Sequence, residues 1–306
     1  MGTDVQPERV APRDIGFINP GGWYSVIVDR IIDGIAPHMT TFRRLSSAGP
    51  NVLNVHFFRE LKDHATKGRR ICPDFHVSHG WFQKVDSNVF WEQIDQFKDV
   101  GVPGPFTERY LLEGGIQKEK VHIIGHPGMD AVFQGRIAKQ LRTEKRIVVV
   151  ALSHSSYLGT WKDISELIPK PIRILTEVVE IVHPVRGWMI ARDYLQHAAV
   201  CISDVSGTIF EAWALGVPVV FPSWRQDDRK GWKTPGSPLT KIYEEEIGYH
   251  AGGEHDFERQ IRKAMAEGIT NEEKEFIEDY FPFALHGFSG VIAAEKIERA
   301  WKRRGG

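Results

Sequence analysis

The segment Ser203-Asp204-Val205-Ser206-Gly207-Thr208-Ile209-Phe210-Glu211 places small, hydroxylated and acidic residues at a spacing suited to a phosphorylated ligand. An apolar run ends at Asp204, and Ser206-Gly207-Thr208 opens a helix predicted over 208–215. Gly216 stops that helix, and the next strand is predicted over 217–221. With nothing bulky at the turn, backbone N–H groups and two hydroxyls can face a ligand. The first turn of a helix has unpaired N–H groups and suits an anion. Glu211, one turn further on, could accept hydrogen bonds from sugar hydroxyls beside that anion. A phosphate clamp followed by a carboxylate fits a nucleotide with its ribose. The same spacing also fits an ordinary strand–helix–strand unit whose small residues allow close packing.

Three more segments are expected to line the same cleft: 76–84, 125–130 and 182–184. His79 follows a short strand and precedes Gly80, so its ring can leave the sheet and take a proton from an acceptor hydroxyl. His183 ends another strand and, as a donor or a cation, could steady phosphate oxygens. Lys84 is a further cation near His79. Gly21 and Gly22 form a turn after the first strand, on the acceptor side with His79. Gly22 and His126, the latter in the Gly125-His126-Pro127-Gly128 turn, are counted with Ser206, Gly207, Thr208 and Glu211 as ligand-binding residues. Asp130 is read as a helix cap in preference to an orienting carboxylate. For each histidine taken singly, a purely structural role competes.

The elements that must position these residues follow from apolar patterning. Strands are predicted at 14–19, 52–58, 76–78 and 121–124, with 97–102 a strand or a loop. Helices are predicted at 24–35 and 106–113, the second stopped by Gly114 and Gly115. Residues 134–145 are polar and basic and form the candidate linker. The pattern restarts with a continuous apolar strand at 146–152. Further strands are expected near 172–175 and at 179–182, 199–203 and 217–221, with helices at 161–168, 188–198 and 208–215. Strands apolar on both sides indicate a parallel sheet covered by helices. Residues 223–238 read as a long loop, and 257–303 as mostly helical. This gives an α/β protein of two Rossmann-like domains facing across a cleft, with ligands at the carboxyl ends of the strands. The domains are 1–133, on the acceptor side, and 146–288, on the nucleotide side, followed by a C-terminal helix over 289–306.

Composition sets outer limits. The 306 residues carry a formal net charge of -1, so no overall field draws the chain to nucleic acid or anionic lipid. Two cysteines fit a reducing compartment and exclude a disulfide scaffold. No apolar run approaches the ~20 residues that span a bilayer, and the N-terminal residues lack a signal peptide's apolar segment. A cytoplasmic location is expected. The 13 histidines are scattered, without a metal-binding motif, and no metal or tightly held cofactor is implied.

Taken in order, these motifs resemble the CDP-glycerol glycerophosphotransferase family, the teichoic acid polymerases and primases. His79-Gly80-Trp81-Phe82 with Lys84 is similar to the family's His-Gly-Thr-Pro and following Lys. Gly125 to Asp130 is similar to its Gly-x-Pro-x-x-Asp, and His183-Pro184 to its second His-Pro. Ser203 to Gly207, with Phe210 and Glu211, is similar to its Thr-Asp-Tyr-Ser-Ser with a later Phe and Asp. The resemblance spans 76–222. It implies a GT-B fold, His79 as the base and His183 on the donor's phosphates. It also implies that the helix at 289–306 packs back on the first domain. The implied reaction moves glycerol phosphate or a glycosyl group from a nucleotide-activated donor to an acceptor hydroxyl on a polyol phosphate, a glycan or a modified nucleic acid base. Trp81-Phe82, Val205, Gly207 and Glu211 depart from the family pattern. Ser206-Gly207-Thr208 with Glu211 also resembles sugar-nucleotide enzymes, both UDP-sugar glycosyltransferases and UDP-sugar 2-epimerases. A UDP-sugar enzyme, including one acting on modified phage DNA, and a non-catalytic nucleotide-binding protein are therefore the other expectations.

Overall fold

The computed structural model describes residues 14–18, 31, 40–44, 52–56, 74–77, 94–135, 146–152, 179–182, 194–225 and 234–303. Two parallel sheets organise them. The first holds β1 (Asp14–Ile18), β2 (Thr40–Arg44), β3 (Val52–His56), β4 (Phe75–Val77), β5 (Asp99–Val102) and β6 (Val121–Ile123), in spatial order β2-β1-β3-β4-β5-β6. The second holds β7 (Arg146–Ala151), β8 (Val179–Val182), β9 (Ala198–Ser203), β10 (Val219–Pro222) and β11 (Tyr249–Ala251), in order β11-β10-β9-β7-β8. Every pairing is parallel.

The second sheet is buried on both faces, and alternation sorts its side chains. Ile147, Val149, Cys201, Val219 and Phe221 join one core cluster. Val148, Val150, Val200, Ile202 and Val220 join the other. On the first face lie α3 (Thr208–Ala214), through Ile209, Phe210 and Trp213, and α6 (Asn271–Tyr280), through Phe276, Ile277 and Tyr280. On the other lies α5 (Glu254–Glu267), through Phe257, Ile261 and Ala264. In the first sheet, α1 (Pro105–Glu113) packs Tyr110 and Leu111 on Val100, Val102 and Val121.

Helix ends follow local chemistry. Pro105 starts α1 where a missing N–H does no harm. Ser237 accepts the Thr240 N–H at 3.2 Å to cap α4 (Pro238–Glu244). Thr270 and Glu273 form a capping box on α6. The box carboxylate reaches further, accepting the Trp213 Nε1–H at 2.5 Å and the Val219 N–H at 3.1 Å. Glu273 is fully buried and ties α6 to α3 and to the start of β10.

The two halves meet through helices. Phe106 of α1 packs against Phe276 and Tyr280 of α6, at ring separations of 5.5 and 5.9 Å. The last helix, α7 (Ser289–Lys302), is held at both ends by residues of the first half. At its start, Asp130 of α2 (Asp130–Phe133) accepts the N–H groups of Ser289 at 3.1 Å and Gly290 at 2.6 Å. Gly125 makes this approach possible: a Cβ there would lie 2.2 Å from Ser289 Oγ, and its φ of 74° is itself unfavourable to other residues. Just past its end, Arg303 donates to Asp99 at 2.6 Å, and His122 Nε2 shares that carboxylate at 2.7 Å.

Four elements differ from the sequence expectations. The strands β2 and β11 and the helix α4 carried no recognised signal. Both strands are sheet edges, short and mixed in polarity, so neither shows the continuous apolar run of a central strand. The helix expected through 198 gives way earlier, because Ala198 already pairs with Ile147 as the first residue of β9.

Candidate functional site

In the second sheet the strand order reverses between β7 and β9, and a crevice at such a point is where open α/β sheets hold ligands. The turn 204–207 leaves the carboxyl end of β9 there. Ser203 Oγ donates to the Ala151 carbonyl at 2.8 Å, stitching the two strand ends together. Asp204 turns its carboxylate back to accept the Val205 N–H at 2.6 Å. Ser206 Oγ accepts the Thr208 N–H at 3.3 Å and lies 3.1 Å from Thr208 Oγ1. Two hydroxyls and the small Gly207 thus stand together at the strand end. Ser206 retains 8% exposure and Thr208 4%.

The helix behind the turn has only seven residues, so its dipole adds little to an anion site. The hydroxyls and turn amides are the groups that can bind. Glu211 is fully buried, and its charge joins burial in pushing the Cys201 thiol pKa far up. In this conformation no ligand atom can reach the Glu211 carboxylate.

The turn is braced from two neighbours that sequence reasoning did not find. Tyr243 of α4 donates its hydroxyl to the Asp204 carbonyl at 3.0 Å. His250 of β11 stacks on Phe221 at 4.6 Å and meets Tyr243 edge-on at 5.4 Å. Its Nε2 donates to the Ile247 carbonyl at 3.0 Å, so its Nδ1 accepts the hydroxyl of Ser223, 2.8 Å away. Burial lowers the His250 pKa and favours this neutral ring. No spacing in the sequence marks either residue, since each lies more than one element beyond the turn.

In the first half, His126 is 3% exposed and precedes the short helical turn Pro127–Met129. His76, three residues before His79, is fully buried and lies against Phe97 at 4.9 Å. Asp130 is a helix cap, of α7 rather than of the helix it opens. Gly125 and Asp130 of this motif both serve the docking of the last helix. Gly22, His79, Lys84 and His183 lie outside the described residues. Of the expected set, Ser206, Gly207, Thr208 and Glu211 lie on one continuous segment, with Glu211 fully buried, and His126 belongs to the other sheet's unit. Among the described residues, no group of three or more acidic, His or Cys side chains could hold a metal ion, and no helix is long and apolar enough to cross a membrane.

The sequence matches no protein-family model and no curated protein. Solved structures do match in fold. A structure of the wall teichoic acid polymerase TagF soaked with CDPG aligns at a TM-score of 0.64 with 12% identity, covering 96% of this chain and 90% of the other. A UDP-N-acetylglucosamine 2-epimerase from Listeria monocytogenes aligns at 0.58 with 12% identity, covering 95% and 96%. The S. aureus MnaA–UDP co-structure aligns at 0.58 with 10% identity, covering 91% and 94%. At such identities the likeness establishes the fold: two Rossmann-like units of the GT-B type.

Proposed function

We propose that this chain is a GT-B transferase that moves a glycerol-phosphate or glycosyl group from a nucleotide-activated donor to an acceptor hydroxyl. The observation that carries the reading is the Ser206-Gly207-Thr208 turn at the carboxyl end of β9, where the strand order of the second sheet reverses. Likeness in fold to proteins solved with CDPG and with UDP supports a nucleotide donor. The family resemblance across residues 76–222 favours glycerol phosphate as the transferred group.

In this reading residues 146–288 hold the donor and residues 1–133 the acceptor. The Ser206 and Thr208 hydroxyls and the turn amides take the pyrophosphate, and Glu211 takes the ribose once uncovered. His79 accepts the proton of the acceptor hydroxyl as its oxygen attacks. With a CDP-glycerol-like donor, the oxygen bonds to the glycerol-bearing phosphorus and the nucleoside monophosphate leaves with the electrons of the broken P–O bond. With a nucleotide-sugar, the oxygen bonds to the anomeric carbon and the nucleoside diphosphate leaves. His183 offsets the charge on the departing phosphate.

The test is a screen of CDP-glycerol, CDP-ribitol and UDP-, GDP- and TDP-sugars for binding and slow hydrolysis. Ser206→Ala and Thr208→Ala should each weaken the accepted donor by ~1.5–3 kcal/mol with the fold intact. His79→Ala should slow transfer ~10²–10⁴-fold at nearly unchanged donor affinity. Unaltered donor affinity in both turn variants would place the nucleotide elsewhere.

A further inference from the structure

We infer that Tyr243 and His250 are positioning residues for the Ser206–Thr208 turn, fixing its geometry for the donor's phosphates without touching the donor. The inference rests on the reading of that turn as the donor site.

The Asp204–Val205 peptide is the rigid unit that leads into the turn, one peptide before Ser206, so fixing its plane restricts where the Val205–Ser206 peptide, the Ser206 hydroxyl and the following amides can point. It is held on both sides. The Asp204 side chain takes its N–H at 2.6 Å, and the Tyr243 hydroxyl donates to its carbonyl at 3.0 Å. A planar group gripped at both polar ends has little freedom to rotate. Binding then loses less entropy in ordering the turn.

Tyr243 is itself held by rings. Phe221 meets it edge-on at 5.5 Å and His250 edge-on at 5.4 Å. The His250 ring has no free rotation of its own. Stacking on Phe221 sets its plane, and bonds to the Ile247 carbonyl and the Ser223 hydroxyl set its tautomer. The brace joins three strand ends. The ladder puts Phe221 beside His250, and Ser223 follows β10 at the edge from which the turn emerges. Without the brace the turn would still fold, because Ser206 and Thr208 bond within it. The brace contributes a preset orientation.

The test uses calorimetric titration of the intact chain with CDP, UDP and inorganic pyrophosphate. Tyr243→Phe keeps the ring and deletes the hydroxyl. It should weaken whichever probe binds by about 5-fold, with secondary structure unchanged. His250→Phe keeps the stack and deletes both hydrogen bonds, and should weaken it similarly; if that variant fails to fold, Tyr243→Phe carries the test. A spectroscopic readout separates positioning from simple support. The ¹⁵N signals of the His250 imidazole should shift when the probe is added to the wild type, and shift less in Tyr243→Phe. A Ser206→Ala/Thr208→Ala double variant distinguishes the two ways of failing. If it loses affinity while Tyr243→Phe binds like the wild type, the positioning role is wrong and the donor turn stands. If the double variant also binds like the wild type, or no probe binds, the donor turn falls and the positioning role with it.

Discussion

Replacing Asp130 by alanine should loosen the last helix from the first half of the molecule. The carboxylate is 2% exposed and accepts two consecutive N–H groups at the start of α7. Hydrogen bonds to a charged acceptor contribute about 1.5–3 kcal/mol each, and the helix N-terminus adds a favourable field. Removing the side chain also strands both donors in a buried corner. Two such bonds sum to about 3–6 kcal/mol. In a chain of this size that corresponds to a fall of about 5–9 °C in melting temperature. Asn keeps one acceptor but turns an NH₂ toward the other donor, so it should recover only part of the loss. High salt should leave the effect unchanged, because a buried charge is poorly screened. Gly125→Ala should reproduce it, through the contact with Ser289. Calorimetry gives the melting temperature, and hydrogen exchange locates the opening. The Ser289 and Gly290 amides should exchange about a hundredfold faster or more if α7 opens locally. An Asp130→Ala protein that melts and exchanges like the wild type would refute the account of α7 as a docked helix.

Two further outcomes follow from buried titratable groups. Glu273→Ala should cost about 3–5 kcal/mol in urea denaturation, because it strands the Trp213, Val219 and Thr270 donors, and Trp213 fluorescence should report the loss. Burial holds the His286 pKa down at about 4, with its ring stacked on Phe133 at 3.9 Å. Between that value and the ordinary 6.5 the unfolded chain binds a proton that the folded chain does not, so stability should fall as pH drops through this window. Because the ring is partly exposed, the loss should be about 1–2 kcal/mol. His286→Phe should flatten the pH profile, and an equally steep profile in that variant would assign the slope to other groups.

The central strands of the second sheet were legible because burial on both faces leaves nearly unbroken apolar runs, as in β7 and β9. The turn at 204–208 was legible as a turn because small residues between an apolar strand and a helix are conspicuous. What escaped was set by distance along the chain. Asp130 meets partners 159 and 160 residues later, and Arg303 reaches back 204 residues to Asp99. No local pattern encodes such pairings. Asp130 could be read as a cap from its residue type, but the helix it caps could not. Tyr243 and His250 escaped for the same reason, as each acts on a turn that lies on another element. The full burial of Glu211 was likewise invisible, since spacing places a carboxylate on a helix but says nothing about what covers it.

The return of α7 also imposes a timetable on synthesis. Asp130 leaves the ribosome 159 residues before Ser289. At ~5–20 residues per second, that interval lasts about 8–32 s. Throughout it the groove at Gly125 and Asp130 stands open, and the Phe133 ring that later stacks on His286 lacks its cover. The first sheet can pair its strands in that time, but its outer layer stays incomplete until the second sheet has also been made. Contacts this distant form slowly, because a long loop must close before they are rewarded. The nascent first half is thus a partner in waiting, exposed to aggregation or chaperone capture until α7 has been made.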